Sequence, residues 1–562
     1  MDNDNASHSP SPEGQDNVGS ADEIQHYAGR WVAKIGDEIV GQGGTPEQAI
    51  GLAKTARFKE SPQVEYVPSQ VPLAFTQILN RVRAALPKDQ QAFLVGGAVR
   101  DALMGRPIKD LDFVVQDRAI NVARGVANRL GGAFYPLDVE HDTGRVILSL
   151  ENAEKFILDF SVQRGPDLSS DLLARDFTIN AIAVDVHDPQ VTYDPLGGVI
   201  DLKDKIIRSC TSTSIQEDPL RILRGIRLAA MGDFHIQPTT VELMRAGISG
   251  LETVSNERIR DEFFHILTER IPQTSLRALE MLGVIEQLFP ELQLLKGVTQ
   301  SAPHFEDVWA HTLRVIDRLR MIVALLSPQH DEELASSYAG GMVALKLGRF
   351  RNQINQHLNS KIVPDRSLRS LLWMSALYHD VGKPFTRTVA VDGRIRFIGH
   401  ERCSAELVSE RAREFRLSRR ENDRLVVVAK NHLRPILLAQ TSNMPTKKAV
   451  YRFFRDTGVA GVDVCLLALA DTWATFGPAL SEDVWSHQLD VVKILLEAWW
   501  ERAEDSITPP VLVNGHDLID RLGLEPGPQI GQLLAEIREA QVVGEIKSKE
   551  DAITFAQSRL KV

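Results

Sequence analysis

The residues best suited to chemistry lie in one segment, Leu94–Val115, which reads LVGGAVRDALMGRPIKDLDFVV. Asp110 and Asp112 alternate with β-forming apolar residues, so a strand would place both carboxylates on one face. Such a pair is either two solvated charges on an edge strand or a set of ligands for a hard divalent cation. Upstream, Gly96 and Gly97 precede a short helix, and glycines at a helix N-terminus let backbone N–H groups approach phosphate. The segment therefore predicts metal and phosphate binding in one place.

The order of Gly-Gly and then Asp-x-Asp resembles the active-site signature of polymerase-β-like nucleotidyltransferases. The version is that of bacterial class II tRNA nucleotidyltransferases and poly(A) polymerases, and not the dinucleotide fingerprint G-x-G-x-x-G or a Walker loop. The resemblance implies that Asp110 and Asp112 are catalytic and hold Mg²⁺, and that Gly96, Gly97 and Arg100 bind the nucleotide. In the segment KFILDFSVQRG, Asp159 is either a third metal-site carboxylate or an exposed strand residue.

A second block, DLLARDFTINAIA, resembles the Arg-Arg-Asp block of the same family. The resemblance assigns Arg175, Asp176 and Asn180 to nucleotide binding. Ala174 stands where the family has its first arginine, and this departure implies weaker or specialised contact with the triphosphate. The next block, YDPLGGVIDLKDKIIR, predicts a turn that leads towards a helical region.

The segment EDPLRILRGIRLAAM allows two interpretations. Asp218 and Pro219 suit the N-cap and first position of a helix, with the arginines facing solvent. Alternatively, Asp218 and Arg221 share a helix face and offer one acceptor beside a fork of donors. Cytosine and adenine both present an amino donor beside a ring-nitrogen acceptor, and the family resemblance gives this base-reading role to the matching Asp and Arg, with Arg224 nearby.

A separate set of residues in the C-terminal half resembles the H…HD…D signature of HD phosphohydrolases. Imidazoles and a bridging carboxylate suit a divalent transition metal that activates water. The extra histidines match those of two-metal members of the HD family, whereas we interpret His304 as a core or surface histidine. The implied ligands are His311, His379, Asp380, His400, His432 and Asp471.

Composition places limits on the remaining functions. The 562 residues carry 43% hydrophobic and 25% charged residues, which is typical of a soluble multidomain protein. No apolar run approaches a membrane span and the acidic N-terminus is unlike a signal peptide, so we expect a cytoplasmic protein without a membrane partner. Three cysteines without C-x-x-C spacing predict no disulfide framework. A net charge of −11 indicates that RNA would be bound by local patches.

These patterns predict an α/β nucleotidyltransferase head with a mixed sheet, followed by a long all-α body, with a small β-β-α appendage at the N-terminus. The C-terminal residues resemble the end of long bacterial tRNA nucleotidyltransferases, and the helix near Gln529 either touches RNA or only packs. The expected domains are a disordered tail (1–21), an appended module (22–68), the head (73–208), a helical neck with the base-reading segment (209–295), an HD domain (296–475) with an insertion near 327–365, and a helical RNA-binding region (476–562).

We therefore expect an enzyme that adds C and/or A to tRNA 3′ ends from CTP and ATP, with Mg²⁺, with release of pyrophosphate and without DNA as a partner. A poly(A) polymerase is the alternative from the same reaction class. An HD phosphohydrolase with a weakened head is the alternative from another class, and a plain RNA-binding module would not require Asp110 and Asp112. The choice between CCA, CC and A addition stays open.

Overall fold

The computed structural model describes residues 27, 30–43, 46–55, 61–67, 69–70, 77–149, 155–329, 332–364, 366–441 and 443–560. The tail predicted over residues 1–21 lies outside this set. The chain divides into two compact units, Met1–Arg221 with Gly232–Met244, and Ile222–Met231 with Arg245–Val562.

The first unit begins with a small antiparallel sheet, which we call the N-terminal module (residues 30–67). Its strands run in the order β2-β1-β3, so the β-β-α prediction missed a third strand. The helix packs closely on β2, because a Cβ at Gly41 would lie 2.3 Å from the carbonyl oxygen of Ala49. The elements are β1 (Arg30–Ile35), β2 (Glu38–Gly43), α1 (Pro46–Thr55) and β3 (Gln63–Val67).

An eight-stranded sheet forms the head, in the order β4-β11-β10-β5-β6-β9-β8-β7. Only the β6–β9 pair among these strands is parallel, so the sheet is mixed as predicted. The strand predicted around Asp110 and Asp112 is β6, and the segment that carries Asp159 is β9. The strands are β4 (Ser69–Gln70), β5 (Ala92–Val95), β6 (Asp110–Val115), β7 (Ala133–Asp138), β8 (Thr143–Ser149), β9 (Lys155–Val162), β10 (Ala183–Asp185) and β11 (Val191–Tyr193).

Strand β6 presents its carboxylates on the solvent side. Asp110 and Asp112 are exposed, while Leu111 and Phe113 between and after them are buried. Phe113 stacks on Phe160 of the parallel neighbour at 4.8 Å between ring centroids. The prediction that both aspartates share one strand face is confirmed.

Helices alternate with these strands along the chain and continue beyond the last of them, and residues 222–231 of the helix over 221–232 belong to the second unit. Two further strands, β12 (Ile206–Ile207) and β13 (His235–Ile236), pair in parallel as a separate two-stranded sheet. The helices are α2 (Gln77–Ala85), α3 (Gly97–Leu103), α4 (Ala119–Leu130), α5 (Leu168–Leu173), α6 (Gly198–Lys203), α7 (Ser214–Glu217), α8 (Arg221–Gly232) and α9 (Pro238–Gly247).

The second unit is helical, with two short strand pairs, β14 (Lys361–Val363) with β15 (Arg366–Ser367) and β16 (Arg387–Val389) with β17 (Ile395–Phe397). Its helices are α10 (Asn256–Thr268), α11 (Pro272–Leu282), α12 (Val284–Leu288), α13 (Pro290–Gln293), α14 (Val308–Leu325), α15 (Glu332–Ala335), α16 (Tyr338–Leu347), α17 (Arg351–Asn359), α18 (Leu368–Tyr378), α19 (Lys383–Thr386), α20 (His400–Glu414), α21 (Arg419–Asn431), α22 (Arg434–Ala439), α23 (Lys447–Thr457), α24 (Gly461–Phe476), α25 (Glu482–Trp500), α26 (Ala503–Ser506), α27 (Gly515–Leu522), α28 (Pro528–Val543) and α29 (Lys549–Leu560).

The insertion predicted near residues 327–365 is itself largely helical. Helices α15, α16 and α17 occupy most of that segment. Val343, Leu347, Phe350 and Ile354 are buried, so the segment supplies core to the body. Its small and polar residues hid the periodicity, because Ala and Gly at helix contacts weaken the apolar signal.

One stretch, Lys447–Ala479, is long and apolar enough by composition to cross a membrane. This differs from the expectation that no apolar run approaches that length. The most apolar 18-residue window is 83% buried within the protein, as expected of a core helix. Helix α24 supplies this core, with Val464, Leu466 and Leu469 fully buried.

Candidate functional site

Gly96 brings the predicted phosphate loop and the metal carboxylates together. It links β5 to α3 with a φ of +71°, a conformation that favours glycine. A Cβ at this position would lie 3.2 Å from Nη1 of Arg175 and 3.5 Å from Oδ2 of Asp112. The backbone at the start of α3 is therefore flanked by one guanidinium and one exposed carboxylate. The guanidinium can bind an anion such as phosphate, and the carboxylate can bind a divalent cation.

Arg175 is held in place by a residue that the sequence analysis did not single out. Its Nε and Nη2 donate to Oδ2 of Asp171 at 3.0 and 2.8 Å, while Oδ1 of Asp171 accepts from the backbone N–H of Arg164 at 3.0 Å. Asp171 is 2% exposed. This leaves Nη1 of Arg175 as the nitrogen that faces Gly96. The i, i+4 spacing of Asp171 and Arg175 was the available signal, although Arg175 lies just beyond the C-cap of α5.

Arg100 belongs to a buried network beside the glycines. Its Nη1 donates to Oδ1 of Asn180 at 2.7 Å, and its Nε and Nη2 donate to the carboxylate of Asp101, each at 3.0 Å. Asn180 in turn donates to Oδ1 of Asp176 at 3.0 Å. A Cβ at Gly97 would lie 3.4 Å from Nη2 of Arg100. The structure thus joins three predicted nucleotide-site residues by direct hydrogen bonds.

Asp159 lies directly opposite Asp112 in the parallel β6–β9 register. Its carboxylate forms a bidentate ion pair with Arg145, whose Nε and Nη2 donate to Oδ1 and Oδ2 at 2.8 Å each. The hydrogen bonds that Arg145 donates to Asp159, together with the charges of Asp159, Asp110 and Asp112, raise the pKa of Arg145. The structure therefore places Asp159 beside the carboxylate pair but in an ion pair, and it adds Arg145, which sequence reasoning missed.

The base-reading segment differs from both sequence interpretations. Helix α8 begins at Arg221, so Pro219 is not its first residue, and Oδ1 of Asp218 accepts the N–H of Leu220 at 3.3 Å in the turn before it. The Arg221 side chain is 8% exposed. Its Nη2 donates to the carbonyl of Ala174 at 2.8 Å, and its Nη1 to the carbonyl of Arg175 at 3.1 Å.

Arg221 therefore clamps the Ala174–Arg175 backbone instead of standing as an open fork beside Asp218. Its Nη1 also contacts the hydroxyl of Ser214 at 2.5 Å. Arg224, one helical turn later on α8, falls in the second unit and is partly exposed.

The six predicted ligands of the HD centre come together in the second unit. They form two groups in which the candidate ligand atoms lie within 4.8 Å of one another, and all six residues are buried. Asp380 belongs to one group and also approaches the other, because its Oδ1 lies 3.2 Å from Nε2 of His400 and its Oδ2 lies 3.7 Å from Nε2 of His311. The groups are His311 with His379 and Asp471, and Asp380 with His400 and His432.

Three of these histidines are oriented as metal ligands. The Nδ1 atoms of His379, His400 and His432 lie 2.8, 2.7 and 2.7 Å from the carbonyl oxygens three residues earlier. Those contacts fix the tautomer in which Nδ1 carries the proton and Nε2 the lone pair. The three Nε2 atoms, all buried, make no hydrogen bond among the described residues. Unpaired lone pairs converging on a buried carboxylate fit one or two divalent cations.

Electrostatics favour the ligand forms of His432 and Asp380, whereas at His379 the effect of burial is outweighed by the charge of Asp380, which raises the pKa. Burial lowers the pKa of His432 to about 3, which keeps the imidazole neutral. Burial alone would raise the pKa of Asp380, but the charges of His379 and Lys383 hold it well below its ordinary value. Nζ of Lys383 lies 2.6 Å from Oδ2 of Asp380 and 2.7 Å from Oε1 of Gln300. Lys383 was not among the predicted residues, although it follows the His-Asp pair by three positions.

A large cavity of about 1890 Å³ opens over the HD centre. His304 lines it, with its ring centroid 5.0 Å from that of His311 and Nε2 3.3 Å from the Thr475 hydroxyl. His304, interpreted from the sequence as a core or surface histidine, is a partly exposed residue in the wall of this cavity. Burial and the charge of Lys383 lower the pKa of His304 to about 4. The basic lining residues are Lys383, Arg394, Arg396, Lys430 and Arg434.

Family models match both the segment with Asp110 and Asp112 and the segment with the HD centre. Residues 92–208 match the Poly A polymerase head domain and residues 308–472 match the HD domain. Both are families that depend on divalent metals. Residues 233–295 match the "Probable RNA and SrmB- binding site of polymerase A", residues 508–556 match tRNA nucleotidyltransferase domain 2, and residues 22–70 match a family of unknown function.

Relatives cover most of the chain. An A-adding tRNA nucleotidyltransferase of Deinococcus radiodurans is 31% identical over 476 residues, 83% of this chain and 95% of the relative. A CC-adding tRNA nucleotidyltransferase of Geobacter sulfurreducens is 30% identical over 462 residues, 82% of this chain and 90% of the relative. The fold is that of a CCA-adding enzyme solved with CTP, at a TM-score of 0.56 and 21% identity over 87% of this chain and 97% of that one. Because relatives of at least 30% identity are covered over 90% or more of their length, the chain belongs to the bacterial tRNA nucleotidyltransferase and poly(A) polymerase family.

Proposed function

We propose that the head adds C and/or A to the 3′ end of tRNA from CTP and ATP and releases pyrophosphate. The observation that carries this proposal is the convergence at Gly96, where Nη1 of Arg175 and Oδ2 of Asp112 flank the backbone that starts α3. One side of that backbone offers positive charge for phosphate, and the other offers oxygen ligands. The tRNA nucleotidyltransferases of Deinococcus and Geobacter support the substrate class.

Each residue has a distinct role in this reaction. Asp110 and Asp112, exposed on one face of β6, are the ligands for Mg²⁺. When bound, Mg²⁺ lowers the pKa of the attacking 3′-hydroxyl and neutralises the leaving pyrophosphate. Backbone N–H groups at Gly96 and Gly97 and the free edge of Arg175 bind the triphosphate oxygens. Arg145 holds the third carboxylate, Asp159, in an ion pair, which leaves the metal to the Asp110–Asp112 pair.

Base selection is assigned to Asp218 and Arg221. Both Nη atoms of Arg221 are engaged with the Ala174 and Arg175 carbonyls, so an incoming base competes with these carbonyls for the guanidinium. We therefore propose that base reading involves a rearrangement of this clamp, with Arg224 at the next turn of α8. The proposal covers addition of CCA, CC or A, and relatives of the CC-adding and A-adding kinds have nearly equal identity to this chain.

The test uses purified protein and tRNA transcripts that end before, within or after the terminal CCA sequence, each with one labelled nucleotide at a time. Incorporation of C, A or both into the matching incomplete transcript supports the proposal and identifies the product. Long adenosine tails on any RNA end would instead indicate a poly(A) polymerase. Absence of incorporation from all nucleotides in the presence of Mg²⁺ would contradict both.

We propose a second function for the HD centre, metal-dependent hydrolysis of phosphate esters. The specific observation is the set of buried Nε2 atoms of His379, His400 and His432 around Asp380. A bound transition metal would supply an activated water, and Lys383 and the arginines of the cavity would attract the phosphate. Phosphate release from nucleotides or RNA ends in the presence of Mn²⁺, Ni²⁺ or Co²⁺ tests this function, and its absence with all three metals would contradict it.

The proposed surroundings of this enzyme follow from its substrates. We propose a cytoplasmic protein with tRNA, CTP and ATP as partners. Fractionation of cells, with a soluble cytoplasmic enzyme as marker, tests the location, and co-sedimentation with membranes would contradict it.

A further inference from the structure

The N-terminal module touches the head at a defined place. Nε1 of Trp31 donates to the carbonyl of Pro195 at 2.7 Å, and Trp31 is 5% exposed. Tyr66 packs edge-on against Trp31 at 5.6 Å between ring centroids, and Tyr193 of β11 packs on the same cluster. A buried indole N–H with a single carbonyl partner fixes both position and orientation, because losing the partner costs the full desolvation of the donor.

The contacted segment is the turn between β11 and α6, residues 193–198. Asp194 stabilises it from the inside, since its Oδ1 and Oδ2 accept the N–H groups of Gly198 at 2.6 Å and Val199 at 2.9 Å. The start of α6 is pressed against the next element, because a Cβ at Gly198 would lie 2.1 Å from the carbonyl oxygen of Thr178. Movement of the turn is therefore transmitted directly to Thr178.

Thr178 begins the short 3₁₀ helix Thr178–Asn180 that reaches the nucleotide site. Its hydroxyl donates to Asp201 of α6 at 2.5 Å, which ties the two elements a second time. At the other end, Asn180 accepts from Arg100 and donates to Asp176. A continuous set of packed and hydrogen-bonded groups therefore runs from Trp31 to the residues beside Gly97.

We propose that the N-terminal module is an intramolecular brace, in which Trp31 acts as a positioning residue that holds the 193–198 turn and thereby keeps Asn180 and Arg100 in place for nucleotide binding. Nothing in the family match over residues 22–70 assigns a role to this module. The proposal rests on the proposed nucleotide site in the head. In this proposal the module acts on the head of its own chain, and no further ligand is required.

The test compares three variants of the full chain. Trp31→Phe keeps an aromatic ring but removes the N–H donor, and Trp31→Ala removes both. The matched control is Lys34→Ala, which breaks the Lys34–Glu65 ion pair within the module. Three quantities are measured: hydrogen exchange of residues 193–203, equilibrium binding of CTP and ATP, and KM and kcat for nucleotide addition.

The brace predicts faster exchange of residues 193–203 in both Trp31 variants. Nucleotide Kd and KM should rise by about 3- to 10-fold, the range expected for one lost buried hydrogen bond, with a smaller change in kcat. Lys34→Ala should leave all three quantities unchanged. Wild-type exchange and nucleotide Kd in a folded Trp31→Ala protein with only a lower melting temperature would overturn the brace and leave a purely stabilising contact.

Failure of the brace and failure of the proposed function give different results. If wild-type protein adds no nucleotide to any transcript, the proposed function is wrong. Hydrogen exchange of residues 193–203 and direct nucleotide binding still decide whether Trp31 controls the turn and the site beside it. Unchanged values in those two measurements overturn the brace regardless of activity.

Discussion

Asp171 holds Arg175 by accepting two hydrogen bonds at one oxygen, Oδ2, at 2.8 and 3.0 Å. The remaining nitrogen, Nη1, faces Gly96 at the start of α3. Since Ala174 replaces the neighbouring arginine of the family block, the orientation of Arg175 determines most of the positive charge that this block offers to a phosphate. Asp171 is thus a positioning residue whose effect is exerted through Arg175.

The first prediction concerns this pair. Asp171→Asn removes the negative charge that orients the Arg175 guanidinium. We therefore expect KM for CTP or ATP to rise by about 10-fold, which corresponds to about 1.4 kcal/mol. Asp167→Asn, at the N-cap of the same helix, is the control and should retain wild-type kinetics because Asn also caps helices. Steady-state kinetics decide the question. Equal KM values in Asp171→Asn and wild type would exclude the positioning role.

A second prediction separates base reading from structural support at Asp218 and Arg221. Asp218→Ala should relax discrimination between CTP or ATP and GTP or UTP, since an unpaired polar group in a base pocket penalises the wrong base. Arg221→Ala should relax it too and also destabilise the head, because the Ala174 and Arg175 carbonyls lose their donor. Misincorporation ratios and melting temperatures are measured together. Unchanged selectivity with a lower melting temperature would assign both residues to structure alone.

The third prediction is a pH dependence at Asp194. Burial raises the pKa of this carboxyl to about 6, from an ordinary value of 3.8. A raised folded-state pKa means that the fold prefers the protonated carboxyl, so its stabilising contribution is complete below pH 3.8 and is lost as the pH rises through 6. Between pH 4 and 7 the wild type should therefore lose about 2 kcal/mol relative to Asp194→Asn, which does not titrate.

The measurement for Asp194 is hydrogen exchange of residues 193–203 at a series of urea concentrations and pH values. The free energy of opening in wild type minus that in Asp194→Asn should fall as the pH rises. A difference that is flat or rising from pH 4 to 7 would contradict the raised pKa. Unrelated titrations in the chain cancel in this comparison, since both proteins share them.

The fourth prediction is that the two metal sites are independent. The head offers oxygen ligands and should prefer Mg²⁺, whereas the HD centre offers imidazoles and should prefer Mn²⁺, Ni²⁺ or Co²⁺. Replacing His379 and Asp380 together by Ala should remove the bound transition metal and any phosphatase or cyclic phosphodiesterase activity, yet leave nucleotide addition intact. Elemental analysis and paired activity assays provide the readout. Loss of both activities in a folded double variant would show that catalysis has been placed wrongly.

The parts of the site that the sequence could predict share a local pattern. Alternation around Asp110 and Asp112 determined their common strand face, and the order of His311, His379, Asp380 and Asp471 along the chain identified the HD centre before any geometry was known. The strand face follows from the spacing of two residues, and the HD centre follows from the order of a known signature along the chain.

The parts that could not be predicted depend on contacts between distant residues. Arg145 reaches Asp159 only because β8 pairs with β9, and Arg221 reaches Ala174 only through the fold of the head. His304 was dismissed because an isolated histidine carries no pattern, yet its ring lies beside that of His311. Strand β3 and helices α15–α17 were missed because short or Gly-rich segments give weak periodicity.

The assignment of catalysis to β6 is tested by nucleotide addition by Asp110→Asn and Asp112→Asn, compared with wild type and with Lys109→Ala, an exposed residue that directly precedes the strand. Each Asn variant keeps the volume of the side chain but removes the charge that binds a hard cation. We predict that both lose incorporation of labelled CTP and ATP into incomplete tRNA transcripts, while tRNA binding, melting temperature and the HD metal content stay at wild-type values. Wild-type incorporation in both folded Asn variants would contradict the assignment of catalysis to β6.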